Sequence, residues 1–182
     1  MSAALQLDGE AWLAVLADLA NALGKEGPPS RLCLIGSAAC LFGGMDGRSS
    51  ADLDIWKPAS DYDQPELQTA ARSIGLLFDP KQTLEPGRPY LQIIEPGLTQ
   101  LGGFEPILIE RIGRLLLFRP PAENLIAAKL IRAEPKDLGD IRFLVSRYRP
   151  DLQQVRNIIA EFGRPAREAA AENLIYLDVL AP

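Results

Sequence analysis

The chain contains no histidine. That absence removes the commonest general base near neutral pH and the commonest transition-metal ligand together. Ser-His-Asp and Cys-His mechanisms are excluded, and so are ordinary zinc sites. A metal would have to be held by oxygen, which suits Mg2+ or Mn2+. Cysteine is nearly as scarce, with Cys33 and Cys40 alone. One lies in an apolar run and the other in the helical pattern after it, so they read as buried free thiols and not as a disulfide framework. No apolar run approaches the ~20 residues that span a bilayer. The first residues, "MSAALQLDGEAWLAVLADLA", are interrupted by acids and lack a basic leading region, so they do not read as a secretory signal. A cytoplasmic protein with no membrane partner is the expectation. Positive charge is also short: 19 Lys and Arg stand against 24 Asp and Glu, a net charge of −5. No general basic field is available for nucleic acid, and any such contact would be a local patch.

What is present is an ordinary globular composition, with 182 residues, 47% hydrophobic and 24% charged. That length supports one domain with a real core, or a small sheet domain with helical extensions. Residues 8–24, "DGEAWLAVLADLANALG", space Trp12, Leu13, Val15, Leu16, Leu19 and Leu23 as a helix would, with acids in the first turn and Gly24 at the end. "RLCLIG" is a short, continuously apolar strand, and "SAACLFGG" starts a helix with Ser37 as its cap. "ADLDIW" is a second strand, and "DQPELQTAARSIGL" a helix opened near Pro65. Strands follow at 88–95, 106–112 and 113–120, the last two paired across the Ile112–Arg114 turn. From residue 121 the pattern becomes helical: "PAENLIAAKLIRA", "KDLGDIRFLVSRY", "PDLQQVRNIIAEFG" and "PAREAAAENLIYLDVL", with Pro150 and Pro165 at the breaks. The order predicts an α+β fold: an N-terminal helix and a small mixed sheet over residues 1–120, then a helical part over 121–182 packed on it.

One segment carries chemistry. A strand ending in Gly36-Ser37 and running into a helix presents backbone N–H groups where a phosphate can approach. In the next strand Asp52 and Asp54 share one face, opposite Leu53 and Ile55. Two carboxylates on one face repel each other unless a cation lies between them. If the two strands are neighbours, a phosphate cradle and metal-binding acids meet at one end. Phosphoryl or nucleotidyl transfer needs that arrangement, with a divalent ion bridging acids and triphosphate.

Gly36-Ser37, a spacer and Asp52-Leu53-Asp54 resemble the signature of the nucleotidyltransferase superfamily. Arg48-Ser49-Ser50-Ala51-Asp52 is similar to the Arg-x-Thr-x-Asp lead-in of its bacterial branch of abortive-infection, type IV toxin nucleotidyltransferases, with serine in place of the more usual threonine. "ENLIAAKLIRAEPKDLGDIRFL" looks like that branch's later lysine and aspartate motifs, matched by Lys129 and by Asp137 with Ile141. The resemblance implies a small mixed-sheet nucleotidyltransferase fold. It implies an enzyme that moves a nucleoside monophosphate from an NTP to a hydroxyl of tRNA or protein, with a toxin role and a cognate antitoxin. Asp52 and Asp54 would hold Mg2+ or Mn2+. Gly36 and Ser37 would bind the phosphates, Arg48 and Ser50 would support that loop, Lys129 would neutralise the triphosphate, and Asp137 would orient the lysine or act as base. The superfamily often carries a third carboxylate on a later strand; Glu110 and Glu95 are the candidates here.

Other readings compete. A nucleotide- or partner-binding module without catalysis would keep the same fold. A glycosyltransferase also uses Asp-x-Asp, but leaves Gly36-Ser37 unexplained. Arg111, Arg114, Arg119, Arg142, Arg147 and Arg149 read as solvated arginines paired with acids, with a polyanion-binding strip as the alternative. Trp12 and Trp56 read as core or partner surface, and Asp140, one turn from Asp137, as a helix-surface acid.

Overall fold

The structure, a computed structural model, describes residues 5–80, 87–97 and 99–180. It is α+β and divides into two compact units. The first runs to Glu95 and takes in Leu108–Arg119; the second comprises Pro96–Ile107 and the chain from Pro120 onward. Among the described residues, no helix is long and apolar enough to cross a membrane.

The first unit is built on a mixed sheet. Helix α1 (Gly9–Leu23) opens with the Asp8 side chain accepting from the Ala11 N–H at 2.9 Å, an N-cap that satisfies one of the first turn's orphan donors. Strand β1 (Ser30–Ile35), helix α2 (Ala38–Phe42), strand β2 (Asp52–Trp56) and helix α3 (Gln64–Ser73) follow. Strands β3 (Leu77–Phe78), β4 (Tyr90–Ile94), β5 (Ile107–Ile112) and β6 (Leu115–Arg119) complete the sheet in the order β3-β4-β2-β1-β6-β5. β1 is antiparallel to β2 and parallel to β6, and β2 is parallel to β4. The two-residue β3 has no periodicity to reveal it in the sequence.

One sheet face, carrying Leu32, Leu34, Leu53, Ile55, Leu91, Leu115 and Leu117, packs in a buried cluster with Trp12, Leu16 and Leu19 of α1 and Leu67 and Ala70 of α3. Each leucine or isoleucine there contributes roughly 1.5–3 kcal/mol by leaving water. The opposite face of β1 and β6 is buried too, at Cys33, Ile35, Leu116 and Phe118. Burial on both faces is why "RLCLIG" and "RLLLF" are continuously apolar instead of alternating. Cys33 and Cys40 are buried and unbridged, and burial pushes the Cys33 thiol up to about 12. Arg114 is likewise withdrawn: its guanidinium donates to the carbonyls of Leu23, Gly24 and Pro28 and to Glu66, and so pins the end of α1 beside α3.

The second unit is helical, with α4 (Ala122–Leu130), α5 (Pro135–Tyr148), α6 (Leu152–Ala160), α7 (Arg164–Glu172) and α8 (Ile175–Leu180). The single helix expected over "PAREAAAENLIYLDVL" is two. The side-chain amide of Asn173 donates to the Leu130 carbonyl at 2.8 Å, and the helix breaks there. Buried Asn124 donates to the carbonyls of Leu101 and Gly103 and holds residues 96–107 in this unit.

Candidate functional site

The end of β1 meets β2 by register. Ile35 pairs with Asp54, so Gly36 lies against the Asp54 side chain. Gly36 has φ +65, and a Cβ at this position would stand 2.5 Å from Asp54 Oδ2. Two independent constraints therefore require glycine: the left-handed backbone and the carboxylate that fills the side-chain volume. Ser37 follows, half-buried. It occupies the N-cap position of α2 but makes no side-chain cap bond, contrary to the expectation. Its φ −87 and ψ −8 are already helical, whereas a capping serine is extended. Its hydroxyl therefore does not serve the helix.

Asp52 is set by a second group of contacts. The lead-in residue Ser50 is buried and bridges to Leu7 through paired backbone bonds of 2.9 and 3.0 Å. Trp12 Nε1 donates to the Ser50 carbonyl at 3.1 Å, so this tryptophan is core and also anchors the loop before β2. With its backbone so held, Ser50 donates its hydroxyl to Asp52 Oδ1 at 2.6 Å, a short, charge-assisted bond. Arg48, two residues earlier, is half-buried in the same loop, and its N–H donates to the Met45 carbonyl.

The neighbouring strand supplies two residues that carried no motif in the sequence. β4 pairs Tyr90 with Asp52 and Gln92 with Asp54, so all four side chains share one sheet face. The Tyr90 hydroxyl is pushed above its ordinary pKa, by burial first, then by the Asp52 charge, a hydrogen bond to Asp52 and the Asp54 charge. Gln92 donates from Nε2 to Asp79 Oδ1 at 3.1 Å. A signal for both lay in "PYLQII", where polar residues alternate with apolar ones, but alternation alone does not say which strand lies beside them.

Neither expected third carboxylate reaches this face. Glu95 lies just past Ile94, which pairs with Trp56, and it forms an exposed ion pair with Lys57 at 2.7 Å. Glu110 lies on edge strand β5, exposed, three strands from β2 and so about 14 Å across the sheet. Among the described residues, no group of three or more His, Cys, Asp or Glu is placed to hold a metal ion.

No family model, curated protein or solved structure matches this chain. Asp52 and Asp54 are both hard oxygen donors, spaced about 6.6 Å along one strand face. Mg2+ is commonly held by one or two carboxylates together with substrate phosphates. The donor set fits a divalent ion bound with a triphosphate.

Lys129 and Asp137 lie in the helical unit, each at a specified partner. Lys129 Nζ stands 2.7 Å from Asp140 Oδ2 and 3.6 Å from Asp137 Oδ1, with the three side chains 9%, 1% and 3% exposed. Arg132 clasps Asp137 from Nε and Nη2 at 2.8 and 3.0 Å. Asp137 also accepts from the Glu134 N–H, closing a capping box at the start of α5. Burial alone would push the Asp137 carboxyl up. The Arg132 hydrogen bonds, the Lys129 and Arg132 charges and the Glu134 N–H outweigh that and hold it below the usual 3.8. Asp140, read from the sequence as a possible surface acid, is buried as the closest partner of Lys129.

Proposed function

We propose that the chain is a metal-dependent nucleotidyltransferase that moves a nucleoside monophosphate from an NTP to a hydroxyl acceptor. The observation that carries this reading is the fit of Gly36 against Asp54. The backbone at residue 36 is left-handed, and the carboxylate of an Asp-x-Asp pair occupies the space a Cβ there would take. A strand-end glycine, a serine hydroxyl not spent on a cap, and two acids on one face thus meet at one end of one sheet.

In this reading Asp52 and Asp54 hold Mg2+ or Mn2+, and the bound ion supplies charge neutralisation of the triphosphate. Ser50 and Tyr90 fix the rotamer of Asp52 by hydrogen bonding. The Gly36 and Ser37 backbone and the Ser37 hydroxyl receive phosphate oxygens, and Arg48 supports the loop. The acceptor hydroxyl oxygen would attack the α-phosphorus in line, its proton passing to solvent as the bond from that phosphorus to the α–β bridging oxygen breaks and pyrophosphate leaves. The resemblance assigns Lys129 to the triphosphate and Asp137 to assistance. It alone also carries the acceptor class, tRNA or protein, and the toxin role with a cognate antitoxin.

A second reading is supported by the absence of an anionic neighbour on β4: a module that binds nucleotide or a partner without transferring anything. Incubation with each α-labelled NTP, Mg2+ and a pool of tRNA and protein separates the two. Label transfer that disappears in Asp52→Ala and Asp54→Ala supports the enzyme. Metal-dependent NTP binding without transfer supports the module, and wild-type transfer by both variants sinks the metal site.

A further inference from the structure

Helix α1 packs on the sheet face opposite the two acids, yet its start reaches the segment that leads into them. The Ser50 carbonyl accepts two donors, the Leu7 N–H at 3.0 Å and the Trp12 indole N–H at 3.1 Å. A carbonyl oxygen has two lone pairs, and both are used here. The Ser50 N–H is used as well, on the Leu7 carbonyl at 2.9 Å. Both donors to Ser50 come from one short stretch whose geometry is set by Asp8. The Asp8 carbonyl accepts the Trp12 N–H at 3.0 Å, and its side chain accepts the Ala11 N–H at 2.9 Å.

A buried indole N–H takes a carbonyl partner in most cores. The carbonyl taken by Trp12 belongs to the residue that orients a candidate metal ligand. Ser50 is buried, and its hydroxyl donates to Asp52 Oδ1 at 2.6 Å. With its N–H and carbonyl both held, the Ser50 backbone fixes where that hydroxyl stands. One residue on, the Ala51 carbonyl accepts the Tyr90 N–H at 3.2 Å, so the lead-in to β2 is clamped between the start of α1 and β4. The α1 side of the clamp is an isolated bridge between Leu7 and Ser50, with Gln6 and Asp8 exposed on either side of Leu7. Short pairings with exposed neighbours are among the first parts of a fold to open.

We infer that Trp12 is a positioning residue for the metal site: through the Ser50 carbonyl and hydroxyl it sets the affinity of Asp52 for a divalent ion, and it couples that affinity to the seating of residues 5–8. The inference rests on the metal-binding reading of Asp52 and Asp54 and deepens it by naming what regulates the site. Such coupling is reciprocal, so an ion bound at Asp52 tightens the bridge between Leu7 and Ser50.

The test reads metal affinity, with no turnover. Mn2+ binding to the folded full chain is measured by equilibrium dialysis with an α,β-methylene analogue of each of the four NTPs in turn. Trp12 is replaced by Phe and, separately, by benzothienylalanine, which keeps the ring volume and carries sulfur in place of the N–H. Each replacement is expected to weaken Mn2+ binding about tenfold, the lower end for groups that orient a metal-ligating side chain. Leu16→Val, a core change one turn along the same helix, is expected to leave the affinity unchanged. In a Ser50→Ala background the Trp12 replacements are expected to add nothing, because the hydroxyl through which they act is gone. In the unsubstituted chain, Mn2+ with the analogue is expected to slow hydrogen exchange at the Leu7 and Ser50 amides, the two donors of the bridge. Wild-type affinity in the benzothienylalanine protein, a like loss in Leu16→Val, an equal Trp12 effect with and without the Ser50 hydroxyl, or unchanged exchange at both amides overturns the inference. Each of these leaves the nucleotidyl-transfer reading in place. Retention of no Mn2+ by the wild type with any of the four analogues overturns both.

Discussion

Lys129 Nζ lies 2.7 Å from Asp140 Oδ2, joining α4 to α5 through two side chains that are 9% and 1% exposed. A charge pair so withdrawn is costly to assemble, and removing one partner takes a close countercharge from the other, leaving Lys129 with Asp137 at 3.6 Å when Asp140 is removed. Lys129→Ala and Asp140→Ala are each expected to lose about 3–5 kcal/mol of stability in urea titrations. The double variant Lys129→Met/Asp140→Leu should recover more than half of that loss. A single-variant cost under about 1 kcal/mol would show that the partner's charge reaches water. If the double variant folds and still transfers label, Lys129 holds the helices together and does not serve the nucleotide.

Asp137 gives the helical unit a defined response to acid. Its carboxyl sits below the ordinary 3.8 in the folded protein, so the native state binds its proton less readily than the unfolded chain does. The stabilisation is complete above the unfolded value and is lost as pH falls through the lower, folded value. Asp137→Asn should therefore be less stable than the wild type at neutral pH, with a gap that is flat down to about pH 5 and narrows below about pH 4. Urea midpoints across that range check it, and a gap that widens on acidification contradicts the assignment.

Gly36 and Gly47 make a controlled comparison, because both have positive φ, +65 and +68. An added Cβ at Gly47 meets nothing within 4 Å, whereas at Gly36 it meets Asp54 Oδ2 at 2.5 Å. Gly47→Ala should lose only the backbone strain, about 1–2 kcal/mol. Gly36→Ala should lose that and also displace Asp54, so that Mn2+ binding with a nucleotide analogue falls at least tenfold. Equal metal affinity in the two alanine variants would disprove the close fit as a functional constraint.

Ser50 holds Asp52 by a 2.6 Å bond from its hydroxyl. Groups that orient a metal-ligating side chain are typically worth 10–100-fold in metal affinity. Ser50→Ala is expected to weaken Mn2+ binding by about that factor, while Ser50→Thr, which keeps the hydroxyl, should restore it. Unchanged affinity in the alanine variant would mean that Asp52 needs no such support.

The α+β organisation and the main elements around the site were legible in the sequence, because period and punctuation are local properties. Apolar spacing marked α1, and Pro and Gly placement marked the helical segments after residue 120. The alternation in "DLDIW" set Asp52 and Asp54 opposite Leu53 and Ile55, as β2 shows. The break at Asn173 was hidden because it depends on a partner carbonyl at Leu130, far away along the chain.

By itself, then, the sequence determined the absence of histidine chemistry, the placing of two carboxylates on one strand face, and a glycine at the end of the preceding strand. These follow from composition and from the two-residue period of a strand. Only the tertiary structure decided that Ile35 pairs with Asp54, that Tyr90 and Gln92 stand beside the acids, and that Glu110 lies three strands away. It also decided that Lys129 is closed between Asp137 and Asp140. Strand order and helix packing are settled by long-range burial and hydrogen bonding, and those join residues whose separation along the chain carries no periodic trace.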